Sequence, residues 1–113
     1  MILEIRTYRL KPGTTDGYVR AMREESVPLQ HKFGIDVVDH GVSLVQEDGH
    51  EEAYLIRAFT SLETYRAQED EFYGSPDWRE GPREAIVSRI EAIHTIVTEV
   101  TEQAVEALRR PVG

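Results

Sequence analysis

The sequence predicts an α+β fold in which a four-stranded antiparallel sheet carries helices on one face. Two observations predict it. Segments with the period of two that is typical of strands alternate with amphipathic helical patterns. The segment 72–83, FYGSPDWREGPR, alternates helix stop and start signals and so separates two of these helices. The resulting order is βαββα(α)β.

The first strand is predicted at residues 2–10, where charged and apolar side chains alternate. Thr14 or Thr15 then provides an N-cap for an amphipathic helix. Pro28 lies inside this helical pattern and is expected to kink or divide the helix, because its ring clashes with the preceding turn. Gly34 is the expected C-cap.

A β-hairpin is predicted next. Residues 35–46 are rich in valine and isoleucine, residues 51–59 form the returning strand, and Asp48-Gly49 between them is a strong turn signal. Thr60 and Glu63 have the spacing of a capping box, which begins the next helix.

The last part of the pattern contains a helix, a strand and a tail. Ser75 is the expected N-cap of a short helix inside segment 72–83. Residues 93–100, IHTIVTEV, are β-branched and alternating, which predicts the final strand. Thr101 caps a short tail helix that must dock on the domain or fray. We therefore expect one domain over residues 1–100, followed by a helical tail at 101–113.

Composition excludes several classes of function. The 113 residues carry a net charge of −8, which disfavours nucleic-acid binding. No stretch reaches the roughly 20 apolar residues of a membrane span. The chain lacks cysteine, its histidines lack metal-ligand spacing, and no signal peptide is evident, so we expect no metal, no cofactor and a cytoplasmic location. Acidic runs such as Glu69-Asp70-Glu71 are expected to be solvated.

The strand patterns predict which face of the sheet the helices cover. Leu3 and Ile5 are the expected helix-facing pair, so the row of Glu4, Arg6 and Tyr8 is expected on the open face. Arg57 is expected there too, because a buried unpaired guanidinium is costly. A second copy of the chain is then expected to cover this face as a homodimer, enclosing a small-molecule cavity.

Four motifs resemble those of the NIPSNAP family of the dimeric α+β barrel superfamily, over residues 1 to about 100. They are Glu-x-Arg-x-Tyr (Glu4, Arg6, Tyr8), Ile-Arg-x-Phe (Ile56, Arg57, Phe59), Trp-x-x-Gly-Pro-Arg (Trp78, Gly81, Pro82, Arg83) and His-Thr (His94, Thr95). The resemblance implies a ferredoxin-like fold that dimerises into a barrel. It implies no single activity, because the superfamily includes isomerases, cyclases, cofactor-independent monooxygenases and haem-degrading enzymes.

Five residues are candidates for catalysis of enolate chemistry. His40 or His94 is the expected base that abstracts a proton next to a carbonyl group. Arg57, Arg6 and Tyr8 are expected to stabilise the resulting oxyanion. The alternative is that the histidines are structural and that the charged groups form an ion-pair network.

Four further residues are candidates for substrate binding: Glu4, Phe59, Tyr73 and Trp78. The alternative for Tyr73 and Trp78 is that they only anchor a loop on the core. The sequence thus predicts a small cofactor-independent enzyme of secondary metabolism, acting on an aromatic or polyketide-like metabolite. The alternative is a non-catalytic ligand-binding or interaction module.

Overall fold

The predicted strands form one antiparallel sheet with the spatial order β2-β3-β1-β4. The computed structural model describes residues 1–109. Its strands are β1 (Ile2–Leu10), β2 (Asp36–Val42), β3 (Glu52–Phe59) and β4 (Ile90–Glu99). Its α-helices are α1 (Thr15–Ala21), α2 (Val27–Lys32), α3 (Leu62–Gly74), α4 (Pro76–Glu80), α5 (Arg83–Val87) and α6 (Glu102–Leu108). The predicted α+β fold class is confirmed, and no helix within residues 1–109 is long and apolar enough to cross a membrane.

The first helical segment is divided, as Pro28 predicts, but the irregularity begins before the proline. A π-helical turn at Met22–Ser26 joins α1 to α2, and Pro28 lies in the first turn of α2, where its missing N–H is tolerated. Thr14 occupies the N-cap position of α1, yet its hydroxyl donates to the Lys11 carbonyl instead of capping the helix.

The hairpin between β2 and β3 closes at Glu47–Gly49, where Asp48 (φ 55°) and Gly49 (φ 75°) adopt the left-handed conformation that these residue types tolerate. The register of β2 shifts between Val37 and Asp39. Gly41 lies beyond this bulge. A Cβ atom there would come within 3.0 Å of the Tyr54 hydroxyl, so its lack of a side chain admits that ring.

Two further predicted helix caps are confirmed, and a third is wrong by one residue. Ser75 accepts from the Trp78 amide and Thr101 accepts from the Ala104 amide, as predicted. The capping box predicted at Thr60 is wrong by one residue, because the cap of α3 is Ser61, whose hydroxyl accepts from the Thr64 amide. Thr60 and Ser61 are adjacent and both carry a hydroxyl group that can cap a helix, so the sequence does not distinguish them. In the structure β3 ends at Phe59, and Ser61 takes the N-cap position.

The predicted assignment of the two sheet faces is wrong. Arg57 and the row of Glu4, Arg6 and Tyr8 face the helices, whereas Leu3 and Ile5 lie on the opposite, open face. The reason is that Arg57 is buried together with hydrogen-bond partners, which removes the cost that the prediction assumed.

The tail helix α6 docks on one end of the open face. Val105 is 1% exposed and packs with Leu3, Val38 and Ala58. Arg109 forms a bidentate ion pair with Asp36 of β2, at 2.8 and 2.6 Å. Of the two outcomes expected for the tail helix, docking or fraying, the structure shows docking for the described part, residues 101–109, while residues 110–113 lie outside the described structure.

Candidate functional site

A fully buried arginine is the centre of the site. Arg57 in the middle of β3 has no exposed surface. Its Nε donates to Oε1 of Glu4 at 2.6 Å, and its Nη2 donates to Oε1 of Glu69 at 2.6 Å. Its Nη1 donates to the side-chain oxygen of Gln30 at 2.9 Å and to the Tyr73 hydroxyl at 3.1 Å. Charged and neutral acceptors on three other elements therefore satisfy this guanidinium.

Arg6 of β1 joins the same cluster from the neighbouring strand. Its Nε donates to Oε2 of Glu4 at 3.0 Å, and its Nη2 donates to both oxygens of Glu69 at 2.9 and 3.0 Å. Its Nη1 donates to the Tyr73 hydroxyl at 3.2 Å. Two guanidinium groups and two carboxyl groups thus share one site, which we call the Arg–Glu cluster: Glu4, Arg6, Arg57 and Glu69.

Helices α2 and α3 supply the groups that complete the cluster. Glu69 and Tyr73 lie four residues apart, on one face of α3. The Tyr65 hydroxyl, one turn earlier, donates to Oε2 of Glu4 at 3.0 Å. Gln30 accepts from Arg57 and donates to the buried Ser26 hydroxyl at 3.1 Å. The Gln30–Ser26 contact thereby fixes the orientation of the Gln30 amide.

The two carboxyl groups of the cluster differ in acidity. Burial raises the pKa of Glu4, but the hydrogen bonds from Glu69 and Arg57, with the positive charges of both arginines, outweigh it and hold the pKa at about 2. Burial and the hydrogen bond with Glu4 raise the pKa of Glu69 to about 7, against the opposing charges of Arg6 and Arg57. Glu69 is therefore the carboxyl group of this pair that takes up a proton near neutral pH.

A cavity of about 290 Å³ lies between the sheet and the helices, and Arg6 of the cluster forms part of its wall. Most of its wall is apolar and includes Met22, Leu55, Trp78, Ile86 and Ile90. Its polar groups belong to Arg6, Tyr8, Ser26, Gln30 and Tyr73. The exposed side chains of Val87 and Ile93 also line the cavity and mark the side that opens to solvent.

Tyr8 is a hydrogen-bond donor in this environment. Burial raises its pKa, and Tyr73 raises it further, so the hydroxyl keeps its proton at neutral pH. The neighbouring Tyr18 is 2% exposed, and its ring centroid lies 5.7 Å from that of Tyr8. Within the described residues, the Tyr18 hydroxyl has no hydrogen-bond partner.

The structure brings most of the predicted site residues together. Arg6, Tyr8, Tyr73 and Trp78 line the cavity, and Glu4 and Arg57 support it from behind. They meet on the helix-covered face, so the predicted location of the cavity on the open face is wrong.

Three predicted residues lie elsewhere. His94 pairs with Thr7 and lines a shallow groove on the open side of the sheet. His40 lies on the edge strand β2, opposite Leu55, and does not line the cavity. Phe59 is buried and packs edge-to-face against Tyr65, with ring centroids 5.0 Å apart. Neither histidine is therefore positioned to act directly on a molecule in this cavity.

Three residues of the site, Glu69, Gln30 and Ser26, are not among the candidates predicted from the sequence. Glu69 belongs to an acidic run that was expected to be solvated, and this expectation is wrong for Glu69, whose side chain is 17% exposed. A signal for the other two was available: Ser26 and Gln30 continue the spacing of the buried Met22 at intervals of four residues. Polar residues in an apolar helical stripe indicate buried hydrogen bonds.

Comparison with known proteins agrees with this fold. A NIPSNAP family protein of unknown function from Agrobacterium tumefaciens superposes with a TM-score of 0.78 at 26% identity, covering 87% of this chain and 86% of that one. A NIPSNAP domain protein from Burkholderia xenovorans gives 0.77 at 17% identity, with coverages of 90% and 96%. An antibiotic biosynthesis monooxygenase gives 0.61 at 16% identity, with coverages of 89% and 99%, which shows a shared fold alone.

No curated protein matches the chain. The model of the NIPSNAP family matches residues 3–104, which is most of the sequence. The protein therefore belongs to the NIPSNAP family, as the strand and turn motifs around Arg6, Arg57 and Trp78 indicate.

Proposed function

We propose that the cavity binds a small aromatic or polyketide-like metabolite and that the protein acts on its enolate or phenolate form without a cofactor. The observation that carries this proposal is a mostly apolar cavity with a guanidinium group in its wall. Such a site favours a flat apolar molecule with one anionic oxygen. The fold shared with an antibiotic biosynthesis monooxygenase supports chemistry of this class.

Arg6 is the group that attracts the anion. Nη1 of Arg6 donates to the Tyr73 hydroxyl, and the Arg6 guanidinium also hydrogen-bonds the Tyr8 hydroxyl. All three side chains line the cavity, so a ligand anion there meets the cation together with both hydroxyl groups. Burial opposes the charge of Arg6, but Tyr73, Tyr8 and the two carboxyl groups raise its pKa, so Arg6 stays cationic.

Tyr73 is the second ligand-facing donor. Its hydroxyl oxygen accepts from Nη1 of both Arg6 and Arg57, which occupies its lone pairs. Its own hydrogen has no acceptor among the described residues, and the side chain lines the cavity. Arg6, Tyr73 and Tyr8 together supply the hydrogen bonds that stabilise an oxyanion.

A non-catalytic ligand-binding function is the second candidate. It is favoured by two observations: no histidine lines this cavity among the described residues, and Tyr8 is held protonated. The protein would then bind the metabolite without converting it.

A ligand screen tests the proposal and separates the two candidates. 2-Naphthol, 1-hydroxyanthraquinone and, as an uncharged control, naphthalene are incubated aerobically with the protein and with the Arg6→Gln variant. We expect the two acidic compounds to raise the melting temperature of the wild type and not of the variant. A product detected by mass spectrometry supports catalysis, and binding without conversion supports the second candidate. Absence of any shift contradicts both.

We also propose that a second copy of the chain covers the rest of the open sheet face. The side chains of Ile5, Ile56 and Ile96 form a row across three neighbouring strands there, and Ile96 is 52% exposed. A self-complementary apolar face supports a two-fold dimer. Light scattering that gives the mass of one chain at micromolar concentration would contradict this proposal.

A further inference from the structure

The Arg–Glu cluster has balanced charges when both of its carboxyl groups are ionised. It then holds two positive and two negative groups within hydrogen-bond distance. Of these four side chains, Arg6 alone lines the cavity. A ligand anion that binds Arg6 therefore adds a third negative charge to a largely buried site, which is unfavourable unless one negative charge is removed.

The two carboxyl groups are not equally able to take up a proton. Glu4 is fully buried and accepts three hydrogen bonds, from Nε of Arg57, Nε of Arg6 and the Tyr65 hydroxyl. Glu69 accepts from the two arginines, and its side chain is 17% exposed. Glu69 also accepts three hydrogen bonds, so solvent access distinguishes the two groups: water reaches the carboxyl group of Glu69 and not that of the fully buried Glu4.

We propose that binding of an anion at Arg6 is coupled to the uptake of one proton by the Glu4–Glu69 carboxyl pair, with Glu69 as the acceptor. When a neutral enol or phenol ionises in the cavity, its O–H bond breaks and the electron pair stays on the ligand oxygen. The net result is that the ligand loses one proton and the Glu69 carboxylate gains one. The inference rests on the proposed function, and it supplies the proton acceptor that the cavity wall lacks.

The surroundings of Glu69 support this role. Burial and Glu4 raise the pKa of Glu69, while the charges of Arg6 and Arg57 oppose the rise. Glu69 therefore gains or loses its proton near neutral pH. The charged or titratable side chains that face Glu69 and its partners are Glu4, Arg6 and Tyr8 from β1, Arg57 from β3, and Tyr65 and Tyr73 from α3. From α2 the cluster meets the neutral amide of Gln30.

Calorimetry with 2-naphthalenesulfonate tests the proposal, because this probe is ionised at every pH used. Titrations from pH 6 to pH 9, each in two buffers of different ionisation enthalpy, give both the affinity and the number of protons taken up. For the wild type we expect uptake that approaches one proton above pH 7. We also expect affinity to fall with rising pH by up to about tenfold per pH unit, the limit for one linked proton.

Glu69→Gln is the matched variant, since it keeps the shape of the side chain and cannot titrate. It should bind the probe with no proton uptake and with affinity independent of pH. If this variant does not fold, the number of protons that the wild type takes up on binding still tests the inference. Wild-type binding without proton uptake and without pH dependence would overturn the inference and leave the proposed function standing. No binding at any pH, and none by 2-naphthol, would overturn both.

Discussion

Nε of Arg57 and Oε1 of Glu4 lie 2.6 Å apart on adjacent strands, and neither side chain has any exposed surface. The two residues face each other directly in the β1–β3 register. A buried ion pair of this kind adds little net stability over an apolar pair, but the loss of one partner leaves an uncompensated charge.

Glu4→Gln should therefore destabilise the protein strongly. We expect the free energy of unfolding to fall by about 3–5 kcal/mol, measured by urea denaturation. Glu24→Gln is the control, because Glu24 pairs with Arg23 at the surface, where both side chains are more than half exposed. That variant should change stability by less than about 0.5 kcal/mol. Equal effects of the two substitutions would contradict the role of Glu4 as a buried counter-ion.

Stability should fall as the pH rises from about 4.5 to about 7. The pKa of Glu69 is raised from 4.5 to about 7 in the folded protein, so its contribution is complete below the unfolded pKa and is lost as pH rises through the folded pKa. Glu4 has the opposite effect on stability below pH 4.5. Because its pKa is lowered to about 2, its contribution to stability is lost as the pH falls. The contribution of the cluster should therefore be greatest near pH 4.5.

The Glu69→Gln variant isolates the contribution of Glu69 to the pH dependence of stability. Because Glu69 is partly solvated, we expect the wild type to lose about 1–2 kcal/mol more than the variant between pH 5 and pH 7.5, measured by urea denaturation. Glu71→Gln, two residues away at an exposed position, should show the wild-type pH dependence. A Glu69→Gln profile identical to that of the wild type would refute the assignment.

Tyr73→Phe should weaken binding of 2-naphthalenesulfonate by about tenfold, since it removes a donor aimed at an anion and worth about 1.5 kcal/mol. Calorimetry at pH 6 measures the change. Tyr54→Phe removes a hydroxyl that contacts Asp39 on the other face of the sheet, and it should leave this affinity unchanged. Equal losses in both variants would show that the effect is not local to the cavity.

Val105→Ala should cost about 1.5–2.5 kcal/mol of unfolding free energy, because it removes two buried methyl groups from the contact of α6 with the sheet. Hydrogen exchange at the α6 amides should also become faster. Gln103→Ala, at an exposed position of the same helix, should change neither quantity. Unchanged exchange in Val105→Ala would mean that other contacts hold the helix.

Ile96→Glu should convert the proposed dimer to a monomer while the chain stays folded, because the side chain is 52% exposed in a single copy. Light scattering reports the mass and circular dichroism reports the fold. Leu44→Glu is a matched control, since Leu44 is 96% exposed in the hairpin loop, away from the open sheet face. A monomeric wild type, or a dimeric Ile96→Glu variant, would contradict the proposed interface.

The element order was predictable because each signal is local. The Asp48-Gly49 turn, the Ser75 and Thr101 caps and the alternation in β1 are set by residues within a few positions of each other, and all of them appear in the structure. The π-helical turn has no such signal, although Pro28 marks its neighbourhood.

The sheet faces were not predictable in the same way. Both rows of β3 are largely apolar, so the position of Arg57 decided the assignment, and a lone arginine indicates solvent. Its partners Glu4, Gln30 and Glu69 lie 53, 27 and 12 residues away in sequence. A single sequence does not show that three such distant polar groups converge on one guanidinium.

The π-helical turn at Met22–Ser26 determines the direction in which the side chains of α2 point. A π turn accommodates about one residue more than an α turn, so if the same residues wound as a regular α-helix, the side chains of α2 would be rotated by about 100°. Gln30 would then swing away from Arg57. The π turn thus determines whether the buried guanidinium of Arg57 has a neutral acceptor on this side, beside its two carboxylate partners.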